Sequence, residues 1–367
     1  MDLTAIREAI LHKHRLNLER IGTEFPHCTE CGVYDRSAFC GWTGGFYAGI
    51  SHLCYEMTGE AAFLTHADHL TAQMERTLEE LGAGLGHDIG MLFSPSAYAS
   101  YLKKQDDANR DLLIRAARIL ATRFHEEGDY IQAWDASPDA PEHATRMIID
   151  CMMNLPLLYR AAEFTGDASL ADIATRHAKT AQKYLVRKDY TTAHTFVFYP
   201  NGQPKYQKTH QGYSDTSCWS RGQSWAVYGF ALAYRFTEDP SFLETALKCA
   251  DKFLELCEPN LIPKWDFDFK GRRAAPRDTS AAAIAACGLM EIFDHTGRAE
   301  YREAAEKILS VLYLDYGSFE RDREEGMIRE GTGHLSRGDN INVSLIYGDY
   351  FFCELFARVA GISRGYW

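Results

Sequence analysis

One carboxylate in this sequence stands among residues that would otherwise form a core. Asp150 lies within residues 146–154, RMIIDCMMN, after a polar loop that carries Trp134. An unpaired carboxylate in apolar surroundings costs several kcal/mol or takes up a proton. Asp150 is therefore the first candidate for acid/base chemistry, unless it caps a helix or pairs with Arg146 four residues away.

A second carboxylate, Asp88, follows the glycine-rich loop GAGLGH at 82–87. Asp88 borders a flexible loop and Asp150 an apolar segment, so their environments should push the two pKa values apart. The more buried group would be the proton donor. We therefore expect Asp150 to act as the acid/base and Asp88 to orient the substrate or set the charge state of Asp150.

Aromatic and hydrogen-bonding side chains stand near the ends of the same long loops. Aromatic faces that take the C–H face of a pyranose, together with groups that bind hydroxyls and a carboxylate, describe a sugar site. The candidate substrate-binding residues are Trp42, His87, Trp134, His194, Gln211, Trp219, Arg221 and Trp225. A lone Trp or His is more often a core residue, so the inference depends on their joint placement.

The elements that must position these residues are helices. Apolar residues recur at i, i+3, i+4 and i+7 almost throughout, and alternating strands are scarce. This periodicity predicts about twelve helices, at 2–21, 43–58, 60–81, 94–104, 107–126, 146–165, 167–187, 219–237, 240–257, 279–295, 299–314 and 343–360. Short turns near Gly59, Gln105, Gly166, Pro240 and Gly297 alternate with long loops.

This alternation predicts helical hairpins that bury apolar faces on both sides. Six hairpins closed into a ring make an (α/α)6 barrel, an all-α fold in which every long loop opens at one mouth. Functional sites are expected there, because loops on a rigid scaffold carry them. An open solenoid is the alternative, although the hairpins vary in length and share no repeat motif. We expect one domain over residues 1–367.

Composition excludes several classes of partner. The net charge is −12 and there is no run of Lys or Arg, so the electrostatic footprint of a nucleic-acid binder is absent. No apolar run approaches the roughly 20 residues that span a bilayer. The amino terminus lacks the features of a secretory signal, so we expect a cytoplasmic protein without a membrane segment.

The sequence contains 10 cysteines, and most fall inside apolar helical patterns. Buried free thiols are the simplest explanation. Only Cys28 and Cys31 have the spacing of metal ligands, and no second Cys/His pair follows at zinc-finger distance. We therefore expect no metal site.

Six segments, in order along the chain, resemble those of unsaturated glucuronyl hydrolases, glycoside hydrolase family 88. They are GWTGGF (41–46), HDIGM (87–91), IDCMMNLPLL (149–158), WSRGQSW (219–225), PRDTSAA (276–282) and SLIYGDY (344–350). The resemblance covers nearly the whole chain. It implies the (α/α)6 barrel, an unsaturated uronic-acid di- or oligosaccharide as substrate, and no metal or organic cofactor.

The resemblance also implies the reaction. Such enzymes release the unsaturated glucuronyl residue from the non-reducing end of oligosaccharides left by polysaccharide lyases. A proton is delivered to C4 of the C4=C5 enol ether, water adds at C5, and the hemiketal rearranges. Asp150 matches the general acid/base of the family and Asp88 its second aspartate. A raised pKa of Asp150 would supply the protonated acid that a weakly basic vinyl ether needs.

Residues 331–340, in the last long loop, correspond to a region where some members of the family hold a sulfate. Ser336 and Arg337 are the candidates here, although Asp339 would oppose a sulfate and Arg337 can simply pair with Asp339. Two other functions stay open. One is the related family 105, the unsaturated rhamnogalacturonyl hydrolases, and the other is a non-catalytic, sugar-binding α-toroid. The parent polysaccharide and the oligomeric state are undetermined.

Overall fold

The computed structural model describes residues 2–367, and its helices form two sets that alternate along the chain. The outer helices are α1 (Leu3–Arg20), α3 (Ala61–Leu81), α6 (Asp107–Ala121), α8 (Ala168–Tyr184), α10 (Pro240–Leu256) and α12 (Ala299–Tyr316). The inner helices are α2 (Gly44–Thr58), α4 (Ile89–Phe93), α5 (Ala99–Lys104), α7 (Leu155–Thr165), α9 (Ser220–Thr237), α11 (Thr279–Thr296) and α13 (Ile346–Val359). A π-helical turn, Ser94–Tyr98, joins α4 and α5 into one inner element.

Burial distinguishes the two sets. The inner helix α11 is buried on every side from Thr279 to Ile292, which its run of alanines permits. The outer helix α10 buries one stripe at helical spacing, formed by Phe242, Thr245, Ala246, Cys249, Ala250 and Phe253. A helix that is apolar all round belongs inside, whereas an amphipathic helix covers a surface.

The inner helices pack side by side in chain order, and α13 then packs against α2. Because the first and last inner helices are in contact, the hairpins close into a ring instead of continuing as a solenoid. The predicted (α/α)6 barrel is confirmed.

Two-residue turns join each inner helix to the next outer one at Gly59, Gln105, Gly166, Glu238 and Gly297. Each of these residues has a positive φ, between 54° and 74°, which ends the helix. In four of the turns the preceding residue is threonine, whose hydroxyl bonds both the helix end and the N–H two residues on. These local signals explain why the short turns could be predicted.

The long connections contain short strands that the sequence pattern did not predict. Two small ribbons pair β1 (Thr29–Glu30) with β2 (Val33–Tyr34) and β3 (Phe124–His125) with β4 (Tyr130–Ile131). A three-stranded antiparallel sheet contains β5 (Arg146–Ile148), β6 (Thr195–Phe198) and β7 (Pro204–Lys208). A last ribbon pairs β8 (Gly331–His334) with β9 (Asp339–Val343).

The predicted helix at 146–165 is wrong over its first nine residues, because β5 pairs with β6 and a 3-10 turn, Ile149–Asn154, follows. The Ile149 N–H donates to His194 O at 3.0 Å, so this backbone bonds across the loops instead of along a helix. The helix predicted at 94–104 begins earlier, with α4, and the one predicted at 107–126 ends at Ala121, where the chain turns into β3.

No helix between residues 2 and 367 combines the length and the apolar character needed to cross a bilayer. The cysteines are free thiols, and all except Cys28 and Cys31 are buried, as predicted. The Cys28 thiol contacts Asn340 Oδ1 at 3.0 Å. Within the described chain, no group of three or more His, Cys, Asp or Glu side chains is arranged to hold a metal ion.

Candidate active site

A cavity of about 190 Å³ lies at the end of the barrel where the long loops meet. It is lined by Trp42, His87, Asp88, Trp134, Ile148, Asp150, His210, Gln211, Arg221 and His334. Seven of these ten residues were predicted from the sequence, and they come from loops far apart in the chain. The ring therefore brings the two aspartates together with Trp42 and Trp134.

The two aspartates are positioned by a close contact between their elements. Asp88 precedes α4, and Asp150 lies in the 3-10 turn before α7. A Cβ on Gly90 would lie 2.5 Å from Asn154 Cα, so only glycine allows this approach. Asn154 Oδ1 also accepts a hydrogen bond of 2.8 Å from the Met91 N–H. The motifs at 87–91 and 149–158 thus lock together and turn both carboxylates toward the cavity.

Asp150 is a poorly satisfied carboxyl group. Its side chain is 16% exposed, and its Oδ1 is buried without a hydrogen-bond partner among residues 2–367. Burial, reinforced by the negative charge of Asp88, raises the pKa of Asp150 to about 7, against the opposing effect of Arg221. A substantial fraction of Asp150 is therefore protonated near neutral pH.

The pairing of Asp150 with Arg146, which the sequence left open, is not formed. Arg146 is buried and pairs with Glu142, which also accepts a hydrogen bond from Lys208 at 2.8 Å. Its guanidinium also lies over the Trp134 ring, 5.9 Å from the ring centroid. The acid in the cavity is thus left without a basic partner from its own segment.

His87 lies beside Asp88. His87 Nδ1 lies 2.8 Å from Ala133 O, which can only accept, so Nδ1 carries a hydrogen. His87 Nε2 lies 3.2 Å from Asp88 Oδ1, but it makes no hydrogen bond among residues 2–367. Both side chains line the cavity together with Asp150.

His194 is held behind the cavity wall in one tautomer. Its Nδ1 accepts hydrogen bonds from the His210 and Gln211 N–H groups at 3.1 and 3.0 Å. Burial holds the pKa of His194 well below its usual range, so the ring is neutral and its hydrogen is on Nε2. His194 Nε2 lies 3.6 Å from Asp150 Oδ1. His194, predicted to contact substrate, is 3% exposed and lies outside the cavity lining, with its Nε2 facing Asp150.

Two predicted tryptophans are also buried behind the wall. Trp219 is 2% exposed and lies against His194, with ring centroids 4.3 Å apart. Trp225 is 1% exposed. Its indole faces Asp150 and slightly opposes the rise in the pKa of that carboxyl group. Trp225 Nε1 has no hydrogen-bond partner of good geometry within the described residues. Trp42 and Trp134, by contrast, line the cavity.

Arg221 holds the last loop against the barrel. Its guanidinium forms a buried ion pair with Asp278 and donates to Thr332 O and Gly333 O, each at 2.8 Å. Gln211 Nε2 donates to Gly333 O at 3.0 Å. Asp278 was not among the predicted site residues, and the signal that could have identified it is an acid at the start of a buried helix.

His210 and His334 were not among the predicted site residues. Their rings lie 5.2 Å apart, and the His210 ring lies 4.7 Å from that of Trp134. Burial, aided by His334 and Arg337, lowers the pKa of His210 to about 3. His334 Nδ1 accepts from the Arg337 N–H at 3.2 Å, which leaves its Nε2 as a buried donor without a partner in the described chain.

Ser336 and Arg337 lie outside the cavity lining, on an exposed 3-10 turn, Leu335–Arg337. Ser336 Oγ lies 3.2 Å from His334 Nδ1, so this turn supports a residue of the lining. Arg337 makes no ion pair among residues 2–367, and the expected pairing with Asp339 is not formed. The guanidinium is therefore free at the rim.

The chain matches the family model described as Glycosyl Hydrolase Family 88 over residues 19–257. It is 37% identical to an unsaturated glucuronyl hydrolase of Bacillus sp. (strain GL1), covering 96% of this chain and 95% of the relative. It is 31% identical to an unsaturated chondroitin disaccharide hydrolase of Streptococcus pyogenes serotype M1, covering 100% of this chain and 93% of the relative.

Solved structures agree. The crystal structure of unsaturated glucuronyl hydrolase from Bacillus sp. GL1, responsible for the degradation of glycosaminoglycan, superposes with a TM-score of 0.96 at 36% identity and covers 100% of this chain and 99% of that one. An aspartate-to-asparagine variant with the oligosaccharide dGlcA-Glc-Rha-Glc has a TM-score of 0.95 at 36% identity and covers 98% and 97%. The chain belongs to glycosyl hydrolase family 88 and is a glycosidase.

Proposed function

We propose that the protein releases the unsaturated glucuronyl residue from the non-reducing end of lyase-generated oligosaccharides by hydrating the C4=C5 enol ether. The observation that carries this proposal is Asp150, a carboxyl group with a pKa raised to about 7 at the wall of a sugar-sized cavity. A vinyl ether is a weak base, and an acid that is still protonated near neutrality is what its protonation requires.

Asp150 acts first as acid and then as base. Its proton passes to C4 while positive charge develops at C5, next to the ring oxygen. A water molecule then forms a bond to C5 and returns a proton to Asp150. The resulting hemiketal opens, the bond to the neighbouring sugar breaks, and that sugar leaves with its glycosidic oxygen. The carboxyl group ends the cycle protonated.

Asp88 tunes this acid. A negative charge on Asp88 raises the pKa of Asp150 and keeps the proton available. His87, whose Nε2 lies 3.2 Å from Asp88 Oδ1, packs against that carboxylate beside Asp150. We assign Asp88 a second role in binding the ring hydroxyls of the uronate, since its side chain is 19% exposed to the cavity.

The remaining lining residues hold the substrate. Trp42 and Trp134 offer aromatic faces for the sugar ring. His334 Nε2 and the positive field of Arg221 suit the uronate carboxylate, and Gln211 supports the loop carrying His334. Ser336 and Arg337 lie on the rim, where we place the leaving sugar and any sulfate that it carries. His194, Trp219 and Trp225 support Asp150 from behind.

The relatives' names cover glucuronyl and chondroitin disaccharide substrates, so both classes are probes for this enzyme. Conversion of an unsaturated disaccharide destroys its conjugated chromophore and releases one sugar. We expect both events at equal rates with the wild type and neither with Asp150→Asn. Binding of the disaccharide without loss of the chromophore would instead support a sugar-binding protein.

Kinetics on paired sulfated and unsulfated disaccharides test the rim. If Arg337 holds a sulfate, Arg337→Ala raises KM for the sulfated substrate alone, by about tenfold for one lost charged contact. Arg302→Ala, at an exposed arginine of α12, is the control. If Arg337→Ala changes KM for the sulfated substrate no more than Arg302→Ala does, Arg337 does not bind the sulfate.

We further propose that residues 1–367 act as one catalytic domain without a metal ion or an organic cofactor. The closed ring supports a single domain, since the inner helices pack in chain order and α13 packs against α2. The cytoplasmic location expected from the amino-terminal sequence stays a prediction. Fractionation of the native host with an antibody to the protein tests it.

A further inference from the structure

A second cavity, of about 520 Å³, is larger than the active-site cavity and shares no lining residue with it. It is bordered by Arg329 and Glu330, which precede β8, and by Asn342 and Val343 of β9. His334, at the other end of β8, lines the active site. The β8–β9 ribbon thus connects two separate cavities.

The second cavity is basic in a protein of net charge −12. Its lining contains Lys264, Arg273, Arg277 and Arg329, and none of the four makes an ion pair within residues 2–367. The acids of the lining are Glu324, which pairs with Arg321, and Glu330. The lining thus carries four cations and two acids, and none of the four cations is neutralised by a close ion pair within residues 2–367.

Several donors of these cations have no acceptor. Arg277 Nη1 donates to Ile262 O at 2.8 Å, but no hydrogen bond is formed by its Nε or Nη2 in the described chain. Arg329 Nε is buried and has no partner there, and its Nη2 lies 3.5 Å from Asp315 O. A buried donor without an acceptor costs free energy, which an anion in the cavity would recover.

Lys264 is a charged side chain of this lining that is mostly shielded from water. Its side chain is largely buried, and its Nζ donates to Ala275 O at 2.9 Å and to Arg273 O at 3.4 Å. Burial, together with the charge of Arg277, lowers the pKa of Lys264. A negative ligand would relieve this repulsion.

We propose that the second cavity binds an oxyanion, a sulfate or phosphate group held by Arg273, Arg277 and Arg329. The guanidinium fork matches the oxygens of such a group, and at least two arginines present unused donors. The group can belong to a free inorganic anion or to an ester on a sugar. None of its residues lines the catalytic cavity, so binding of the anion can be tested apart from the proposed reaction.

Backbone contacts link this site to the catalytic one. Arg277 O accepts a hydrogen bond of 2.7 Å from Thr332 Oγ1, and Thr332 O in turn accepts from Arg221. Arg329 O accepts from Thr279 Oγ1 at 2.8 Å. An anion bridging Arg277 and Arg329 would therefore stabilise the ribbon that carries His334.

Cys31 provides a local reporter, because it lines the second cavity and is the exposed cysteine among the described residues. The probe is a methanethiosulfonate reagent with a sulfonate group, with the modified peptide assigned by mass spectrometry. At constant ionic strength, we expect sodium sulfate to slow modification of Cys31 at least about threefold in the wild type by occupying the site. The double variant Arg273→Gln/Arg329→Gln should lose this protection, whereas Arg302→Gln should retain it.

A second arm distinguishes the sources of the anion. A saturated disaccharide carrying a sulfate ester, which has no double bond to hydrate, is compared with its unsulfated form and with inorganic sulfate and phosphate. Protection by the sulfated sugar at lower concentration than by the free anions assigns the site to an ester. The reverse order assigns it to a free anion. Absence of protection by all four, or equal protection in the double variant, overturns the proposal.

Discussion

Two aspartates in this protein share a pKa that burial raises to about 7, but their hydrogen-bonding surroundings differ. Asp349, on α13, is 1% exposed and accepts hydrogen bonds from Met327 N–H, Ile328 N–H and the Tyr34 hydroxyl. Asp150 has a buried oxygen without a partner among residues 2–367 and faces the cavity. A raised pKa alone therefore does not identify a catalytic acid. The unsatisfied oxygen of Asp150 at a cavity wall is the observation that favours it as the proposed acid.

The contacts of Asp349 indicate a structural role. Its carboxyl group fixes residues 327 and 328 of the last long loop, and Tyr34 of the first, to the inner helix α13. Asp150 fixes no comparable segment. Variants at these two positions should therefore separate catalysis from stability.

The largest difference should appear in turnover. We expect Asp150→Asn to lower kcat by about 10³-fold or more, because a positioned acid contributes 10²–10⁴-fold. The fold should be retained, since no hydrogen bond of Oδ1 is lost. Chromophore loss and circular dichroism are the measurements. Asp349→Asn, assayed on its folded fraction, should keep a kcat within a few-fold of the wild type.

Gly90, two residues after Asp88, and Gly348, which precedes Asp349, offer a second comparison. A Cβ at Gly90 would lie 2.5 Å from Asn154 Cα, whereas one at Gly348 would lie 3.2 Å from Ser280 Cβ. We expect Gly90→Ala to separate Asp88 from Asp150 and lower kcat by about 10²-fold, as expected for a misplacement of about 1 Å. Gly348→Ala should leave kcat nearly unchanged. Equal effects of the two variants would contradict the role given to the Gly90 contact.

The effects on stability should have the opposite order, with the larger loss in Asp349→Asn and the smaller in Asp150→Asn. Asp349→Asn leaves at least one buried donor without an acceptor, so we expect a loss of about 1–3 kcal/mol in the free energy of unfolding. Asp150→Asn should cost little or be stabilising at pH 8, where the wild type carries a buried charge. Urea denaturation of both variants measures this. A larger loss for Asp150→Asn would assign Asp150 a structural role.

The smallest expected effect is in pH dependence. Asp150 must be protonated to act, so kcat/KM should be retained below pH 7 and fall as the pH rises through about 7. In Asp88→Asn the neighbouring negative charge is removed, so the midpoint of the residual activity should move to lower pH. A midpoint unchanged or moved upward would contradict the electrostatic role of Asp88.

Both aspartates also make stability depend on pH in the same direction. Each has a pKa near 7 in the folded protein and an ordinary value of 3.8, so the folded state binds more protons between these values. Stability should therefore decrease as the pH rises from about 4 to about 7. Asp150→Asn should remove part of this slope, which thermal denaturation across that range measures.

The sequence was sufficient for the parts of the fold that are coded locally. The two-residue turns combine a residue suited to positive φ with a preceding threonine or a following cap, as at Gly166 and Asp167. The burial of Asp150 followed from its apolar neighbours. Asp349 stands in an equally apolar segment, and the sequence could not distinguish the two because the partners of Asp349 come from distant loops.

The rest of the site depends on contacts between segments far apart in the chain. The strand Arg146–Ile148 forms because Thr195–Phe198 pairs with it, and no local pattern shows that partner. The same pairing places His194 behind the cavity wall, because the Ile149 N–H donates to His194 O, whereas Trp219 is held there by a bridge to Asp266. His334 became a donor of the lining because the turn after it uses its Nδ1.

Infrared difference spectroscopy with ¹³C-labelled aspartate tests the assignment of the acid most directly. Between pH 5 and about 7 the spectrum of the wild type should contain the carbonyl band of two protonated carboxyl groups, which disappears as the pH rises through about 7. Asp150→Asn should remove one component and Asp349→Asn the other, and a bound unsaturated disaccharide should shift only the component that Asp150→Asn removes. An identical band in the wild type and in Asp150→Asn would mean that Asp150 is ionised throughout this range and cannot be the proton donor.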